Sequence, residues 1–125
     1  MSAPYDDDNI FAKILRGEIP CQKLAEDEHA LAFRDINPQA PVHVLVVPKG
    51  RFVSAADFHS QASDAQIAGF WRLVSQVAKG QGLEARGYRL LSNIGEEGGQ
   101  EVPHFHVHIF GGRRLGRMVP PAPQG

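Results

Sequence analysis

The sequence of 125 residues contains one cysteine, Cys21, and so can form neither a disulfide within the chain nor a Cys-x-x-Cys zinc pair. It lacks any apolar run close to the ~20 residues that a membrane-spanning helix needs. It also lacks an excess of charge of one sign, since a formal net charge of −1 gives no general attraction to nucleic acid or anionic membranes. The first residues are acidic and do not have the basic-then-apolar pattern of a signal peptide. We therefore expect a cytoplasmic protein with neither a nucleic-acid nor a membrane partner.

The length and composition are those of a single folded domain. Hydrophobic residues make up 42% of the chain and charged residues 22%, which is typical of globular proteins with a buried core. A chain of this length usually forms one domain. We predict a flexible acidic arm over residues 1–8, one domain over residues 9–112, and an Arg/Pro-rich tail over residues 113–125.

Hydrophobic spacing predicts one short N-terminal helix, one long helix and five strands. Asn9 is suited to cap the short helix, and the long helix is expected to begin near residue 63 and to end near residues 80–82. The segment between residues 51 and 59 is expected to be a connection. Strands are predicted over residues 23–26, 30–34, 42–48, 88–93 and 104–110. This order of elements indicates an α+β fold on a five-stranded antiparallel sheet.

The long helix carries an apolar stripe that is suited to the core or to a dimer interface. Phe70, Trp71 and Val74 belong to this stripe. On pattern alone they are candidates for the dimer face.

Three of the six histidines lie within five residues, at His104, His106 and His108. They alternate with apolar residues, and a period of two predicts a strand with one apolar face and one histidine face. On a flat strand successive histidines are roughly 6.6 Å apart. A glycine-rich segment, residues 95–99, precedes them in the sequence.

A row of histidines is compatible with a metal site, a phosphate site or an ordinary solvated strand face. One shared metal ion is disfavoured, because ligand nitrogens on one zinc ion lie within roughly 3.5 Å of each other and the outer histidines are about 13 Å apart. Phosphate chemistry is favoured, because neutral imidazole attacks phosphorus and imidazolium binds phosphate oxygens. A glycine-rich segment also lets backbone N–H groups approach a phosphate. His43 stands alone in an apolar strand, where a buried structural histidine is the usual interpretation.

The segment His104-Phe-His106-Val-His108-Ile-Phe matches the pattern His-φ-His-φ-His-φ-φ, where φ is apolar. Residues 9–20, 32–49 and 98–104 add further similarity, so that the chain from about residue 8 to residue 112 resembles the Hint branch of the histidine triad (HIT) superfamily. The resemblance implies a HIT-like fold, a homodimer, and hydrolysis of purine nucleoside 5′-phosphoramidates such as adenosine 5′-monophosphoramidate. No cofactor or metal is expected.

The resemblance also implies roles for single residues. His106 would be the nucleophile that forms a nucleotidyl intermediate, His108 would contact the phosphate, and His104 would support the network. His43 matches the fourth histidine of the family, which replaces the structural interpretation given above. The other implied nucleotide contacts lie at the ribose and base and on the phosphate side: Asp35, Ile36, Asn93, Gly99, Gln100 and Glu101.

Glu101 departs from animal Hint proteins, which have a serine near the leaving group. A carboxylate there repels a phosphate unless it is turned away or hydrogen-bonded. Two other functions stay open at this point. A dinucleoside polyphosphate hydrolase would prefer a different substrate, and a nucleotide-binding regulatory protein would bind AMP without appreciable turnover.

Overall fold

The computed structural model describes residues 4–120, and these residues form four helices and five strands. The helices are α1 (Ile10–Leu15), α2 (Ala55–Gln61), α3 (Asp64–Gly80) and α4 (Gly95–Gly98). The strands are β1 (Lys23–Glu26), β2 (Ala30–Arg34), β3 (Val42–Pro48), β4 (Arg89–Leu91) and β5 (Val107–Gly111). Neighbouring strands are antiparallel in the order β1-β2-β3-β5-β4, which confirms the predicted α+β class and the five-stranded sheet.

Strand β3 lies at the centre of the sheet, and its nearly continuous apolar sequence is buried on both faces. On one face, Val44 and Val46 belong to a cluster that includes the buried side of α3. On the other face, Leu45 and Val47 pack with Phe11 of α1. The two helices that cover opposite faces of the sheet thus enclose the strand that carries His43.

The apolar stripe of α3 packs on the core of its own chain. The exposed fractions of Phe70 and Val74 are 0% and 1%, so these two side chains have no surface to offer a second subunit. Their assignment to a dimer face is therefore wrong. Trp71 is half-buried against the same cluster.

Helix α2 lies where the sequence predicted only a connection. Its first turn is built around Asp57, whose carboxylate is buried and accepts hydrogen bonds from the backbone N–H groups of Val53 (2.7 Å) and Ser54 (2.6 Å). Phe58 follows and is fully buried in the core. A carboxylate at the N-terminal end of a helix satisfies free N–H groups, and this local contact lets a short helix form.

The histidine segment also differs from the prediction of a strand over residues 104–110. The ladder of β5 begins only at Val107, so only His108 of the three histidines lies in the strand. The N–H of His104 donates to the carbonyl of Val102 (2.9 Å), and the N–H of Phe105 donates to the carbonyl of Phe52 (2.8 Å). These partners lie outside the sheet, and they turn His104 and His106 away from strand geometry.

The part of the C-terminal tail that the structure describes contacts the folded domain. Arg113 donates to the carbonyl of Gln39 (3.2 Å), and Arg89 donates to the carbonyl of Gly116 (2.8 Å). Residues 121–125 of the predicted tail and residues 1–3 of the predicted arm lie outside the described residues. None of the helices within residues 4–120 combines the length and the hydrophobicity that a membrane span requires.

Candidate active site

A cavity of about 200 Å³ lies beside the histidine segment, between α1, the loop after β2 and the α4 segment. Of the predicted site residues it is lined by Asp35, Asn93, Gly99, Glu101, His106 and His108. Phe11, Gln39, Leu45 and Val102 complete its wall. A larger cavity of about 450 Å³ is lined by Arg86 and the start of the tail, and it contains no histidine. The smaller cavity is the candidate site because it is lined by two motif histidines, His106 and His108, and by the carboxylate of Asp35.

Two predicted nucleotide contacts do not line this cavity. Ile36 follows Asp35 and is 86% exposed, so its side chain lies on the surface next to the site. The amide of Gln100 accepts from the N–H of Gly95 (3.1 Å) and donates to the carbonyl of Val102 (3.0 Å). Gln100 therefore connects the beginning and the end of the α4 segment.

His106 is held with one ring nitrogen free. Its Nδ1 lies 2.7 Å from the carbonyl oxygen of His104, and because a carbonyl can only accept, Nδ1 carries the proton. The lone pair of the neutral ring is then on Nε2. Burial lowers the pKa of His106, which keeps the ring neutral near pH 7. The ring of Phe11 packs edge-on against it at a centroid distance of 4.8 Å.

His43 and His108 are hydrogen-bonded to each other, and their partners define the tautomer of both rings. The N–H of Gln39 donates to Nδ1 of His43 (3.1 Å), so the proton of the neutral His43 ring is on Nε2. This Nε2 lies 2.9 Å from Nδ1 of His108 and 3.5 Å from a carboxylate oxygen of Asp35. His108 accepts at Nδ1 and therefore keeps its own proton on Nε2. Burial, with His106 and His43 close by, lowers the pKa of His108 to about 4.

His104 is fully buried and does not line the cavity. Its Nε2 donates to the carbonyl of Pro48 (2.9 Å), and its Nδ1 lies 2.6 Å from the hydroxyl of Tyr5. Burial lowers the pKa of His104 to about 4. Both ring nitrogens have partners, so His104 contributes to the site through its carbonyl contact with His106.

Within the described residues 4–120, one group of side chains could hold a metal ion: Asp35, His43 and His108, whose ligand atoms lie within 4.8 Å of one another. In this arrangement His43 Nε2 and His108 Nδ1 share a proton at 2.9 Å. A metal ion would have to replace that proton.

Sequence reasoning missed four residues that build the site: Tyr5, Phe11, Gln39 and Ser92. The hydroxyl of Ser92 donates to the carbonyl of His106 (2.7 Å) and so holds the backbone of the nucleophile candidate. Tyr5, Phe11 and Ser92 each contact a histidine that is distant in sequence, so no local pattern marks them. Gln39 is only four residues from His43, but its contact is made by a backbone N–H and therefore leaves no side-chain signal.

The HIT domain family matches residues 16–115, which include all five strands and the histidine motif. The chain belongs to the HIT family. A HIT-like protein from Azospirillum brasilense is 60% identical over 119 residues, which cover 95% of this chain and 98% of that protein. The purine nucleoside phosphoramidase of Escherichia coli is 40% identical over 116 residues, which cover 90% of this chain and 94% of the relative.

A solved structure supports the same assignment. A histidine triad protein from Clostridium difficile superposes with a TM-score of 0.82 and 40% identity, covering 91% of this chain and 98% of that chain. The predicted family and the predicted HIT-like fold are both confirmed.

Proposed function

We propose that this HIT protein hydrolyses purine nucleoside 5′-phosphoramidates, such as adenosine 5′-monophosphoramidate, through a nucleotidyl intermediate on His106. The observation that carries the proposal is the hydrogen bond from Nδ1 of His106 to the carbonyl of His104, which leaves a neutral Nε2 lone pair in a histidine at the cavity wall. Similarity to the Escherichia coli phosphoramidase supports the substrate class.

The reaction has two displacement steps at phosphorus. In the first, Nε2 of His106 attacks the α-phosphorus, the P–N bond of the substrate breaks, and the departing amine takes up a proton from solvent. In the second, water attacks the same phosphorus and gives up a proton to solvent, the bond to His106 breaks, and the nucleoside monophosphate leaves. The Nε2–H of His108 is the donor available to a phosphate oxygen, because the contact with His43 keeps its proton on that nitrogen.

The remaining contacts divide along the nucleotide. The Asp35 carboxylate lines the cavity and is suited to accept hydrogen bonds from ribose hydroxyls. Ile36 offers an exposed apolar surface for the base. Asn93 and Gly99 also line the cavity, and we assign them to the phosphate. Glu101 lines the cavity and is exposed, so its carboxylate can turn away from a bound phosphate.

The first prediction tests the substrate class and the intermediate together. We expect the wild-type protein to turn over adenosine 5′-phosphoramidate faster than a diadenosine polyphosphate, with AMP as the nucleotide product. Rapid acid-free quenching and mass spectrometry should detect one nucleotidyl group on the peptide that contains His106. Faster cleavage of the polyphosphate would instead assign a dinucleoside polyphosphate hydrolase. AMP binding without turnover or adduct would assign a regulatory protein.

The second prediction concerns assembly, for which we propose a homodimer. Strand β4 is an edge of the sheet, since β5 is its one neighbour among the described strands, and it exposes 44% of Leu90. An unpaired edge with exposed apolar side chains is suited to pair with a second copy. Sedimentation should give twice the chain mass of 13.7 kDa for the wild type.

The matched variants are Leu90→Arg and Ile10→Arg, because both positions are 44% exposed and only the first lies on β4. Leu90→Arg should shift the protein to monomers, since it places charge at the edge. Ile10→Arg should leave the dimer intact. A monomeric wild type, or a Leu90→Arg dimer of unchanged affinity, would contradict the proposed interface.

A further inference from the structure

We propose that Tyr5 is a positioning residue of this site, which holds the ring of His104 and, through the carbonyl of His104, keeps His106 in its reactive orientation. The inference concerns an arm residue outside the HIT motif. Its catalytic consequence rests on the proposed function, whereas the contact between Tyr5 and His104 can be tested without substrate.

The direction of the hydrogen bond follows from the partners of His104. The carbonyl of Pro48 accepts from Nε2 at 2.9 Å, so this nitrogen carries the proton of the neutral ring. Nδ1 is then an acceptor, and the Tyr5 hydroxyl, 2.6 Å away, must donate to it. His104 is fully buried, so loss of this hydroxyl leaves a buried acceptor without its partner.

Tyr5 is itself oriented by the segment that follows it. The Arg51 guanidinium pairs with both carboxylate oxygens of Asp7 at 2.9 Å, and it lies 5.3 Å from the centroid of the Tyr5 ring. Asn9 donates to the carbonyl of Asp6 (2.8 Å) and accepts from the N–H of Ala12 (2.9 Å) at the start of α1. The arm is thus tied to the domain directly after Tyr5.

The effect passes from His104 to the nucleophile over one hydrogen bond. The carbonyl of His104 accepts from Nδ1 of His106 at 2.7 Å, and this bond sets both the tautomer and the orientation of the His106 ring. A displaced His104 ring moves its backbone and therefore moves Nε2 of His106 relative to phosphorus. Small misplacements of a nucleophile lower rates strongly.

Proton relay is a different role, and the geometry does not favour it. A proton entering His104 from Tyr5 would have to leave through Nε2, where the partner is the carbonyl of Pro48. A backbone carbonyl does not pass on a proton. Tyr5 therefore acts on the placement of His106.

The kinetic test compares the only two tyrosines of the chain. Tyr5→Phe keeps the ring beside Arg51 and removes the hydroxyl, and we expect kcat for adenosine 5′-phosphoramidate to fall about tenfold with KM within about twofold. The midpoints of the pH–rate profile should stay unchanged, because Tyr5 passes no proton to or from the reacting groups. Tyr88→Phe makes the same chemical change at a position 37% exposed and should match the wild type. An unchanged kcat in Tyr5→Phe would overturn the catalytic role.

The second measurement uses the resting protein. With ¹⁵N-labelled histidine, NMR should show a bare Nδ1 and a protonated Nε2 for His104, and the reverse for His106. Tyr5→Phe should shift the Nδ1 resonance of His104 and perturb the ring resonances of His106, while Tyr88→Phe should shift neither. A protonated Nδ1 on His104 would overturn the positioning contact. Resonances of His104 and His106 that are unchanged in Tyr5→Phe would overturn it as well. A wild-type protein without phosphoramidase activity would contradict the proposed function and the catalytic effect of Tyr5, and the NMR result would then decide the contact alone.

Discussion

Replacement of His106 by alanine is expected to lower kcat for adenosine 5′-phosphoramidate by at least about 10³-fold, because the variant loses the attacking atom. No other histidine of the site is placed to substitute for it. His43 and His108 are hydrogen-bonded to each other, which occupies one ring nitrogen of each. Both ring nitrogens of His104 have hydrogen-bond partners. The nucleotidyl adduct should disappear together with the activity.

The control for this variant is His59→Ala, which removes an exposed histidine on α2 that stacks on Trp71 outside the candidate site. Its activity should stay within about twofold of the wild type. AMP binding measured by calorimetry should persist in His106→Ala, since Asp35, Asn93 and Gly99 remain at the cavity. Equal turnover by His106→Ala and the wild type would remove His106 from the nucleophilic role.

The roles proposed for the histidines differ because their hydrogen-bond partners differ. The imidazole presents the lone pair of Nε2 at His106, where a carbonyl accepts a hydrogen bond from Nδ1–H. It is oriented as a donor at His108, where a neighbouring N–H occupies Nδ1. Burial keeps these rings neutral, so the partner of each ring, rather than a charge, assigns its function.

The sequence predicts the elements whose stability comes from their own pattern. The continuous apolar run of β3 and the stripe of α3 are visible in the printed residues, and both elements lie where they were expected. Helix α2 depends on the local contact of the Asp57 carboxylate with the backbone of Val53 and Ser54, whereas the late start of β5 depends on a tertiary contact. Phe105 binds the backbone of Phe52, 53 residues earlier (105 − 52), and no periodicity within residues 104–110 contains that information.

The candidate site shows the same division. The motif places His104, His106 and His108 in one segment, but their roles depend on partners from elsewhere in the chain. In the register of β3 and β5, Leu45 lies opposite His108, and His43 lies two residues away, within reach of the same ring. Tyr5 comes from an arm that composition alone marks as flexible. Family resemblance supplied His43, whereas the position of Tyr5 required the structure.

Lowering the pH from 7.5 to 5 is expected to reduce the free energy of unfolding by about 2 kcal/mol through His104 alone. Burial lowers the pKa of this ring to about 4, below the ordinary value of 6.5 that it regains on unfolding. Between these two values the unfolded chain binds a proton that the folded chain does not, so stability falls as the pH falls. At pH 4 the loss approaches about 3 kcal/mol, since each pKa unit corresponds to about 1.36 kcal/mol. His108 shifts in the same direction and adds to the loss.

Urea unfolding at a series of pH values measures this dependence, with protein concentration held constant because assembly also stabilises the folded state. His104→Gln keeps a side-chain N–H donor and removes the titrating group. It should lower stability at pH 7.5, since the contacts with Tyr5 and Pro48 are disturbed, and it should flatten the slope between pH 6.5 and 4. A slope equal to that of the wild type would mean that His104 is not the buried neutral ring that these contacts describe. A flatter slope would connect the pH sensitivity of the fold to the residue that orients the nucleophile.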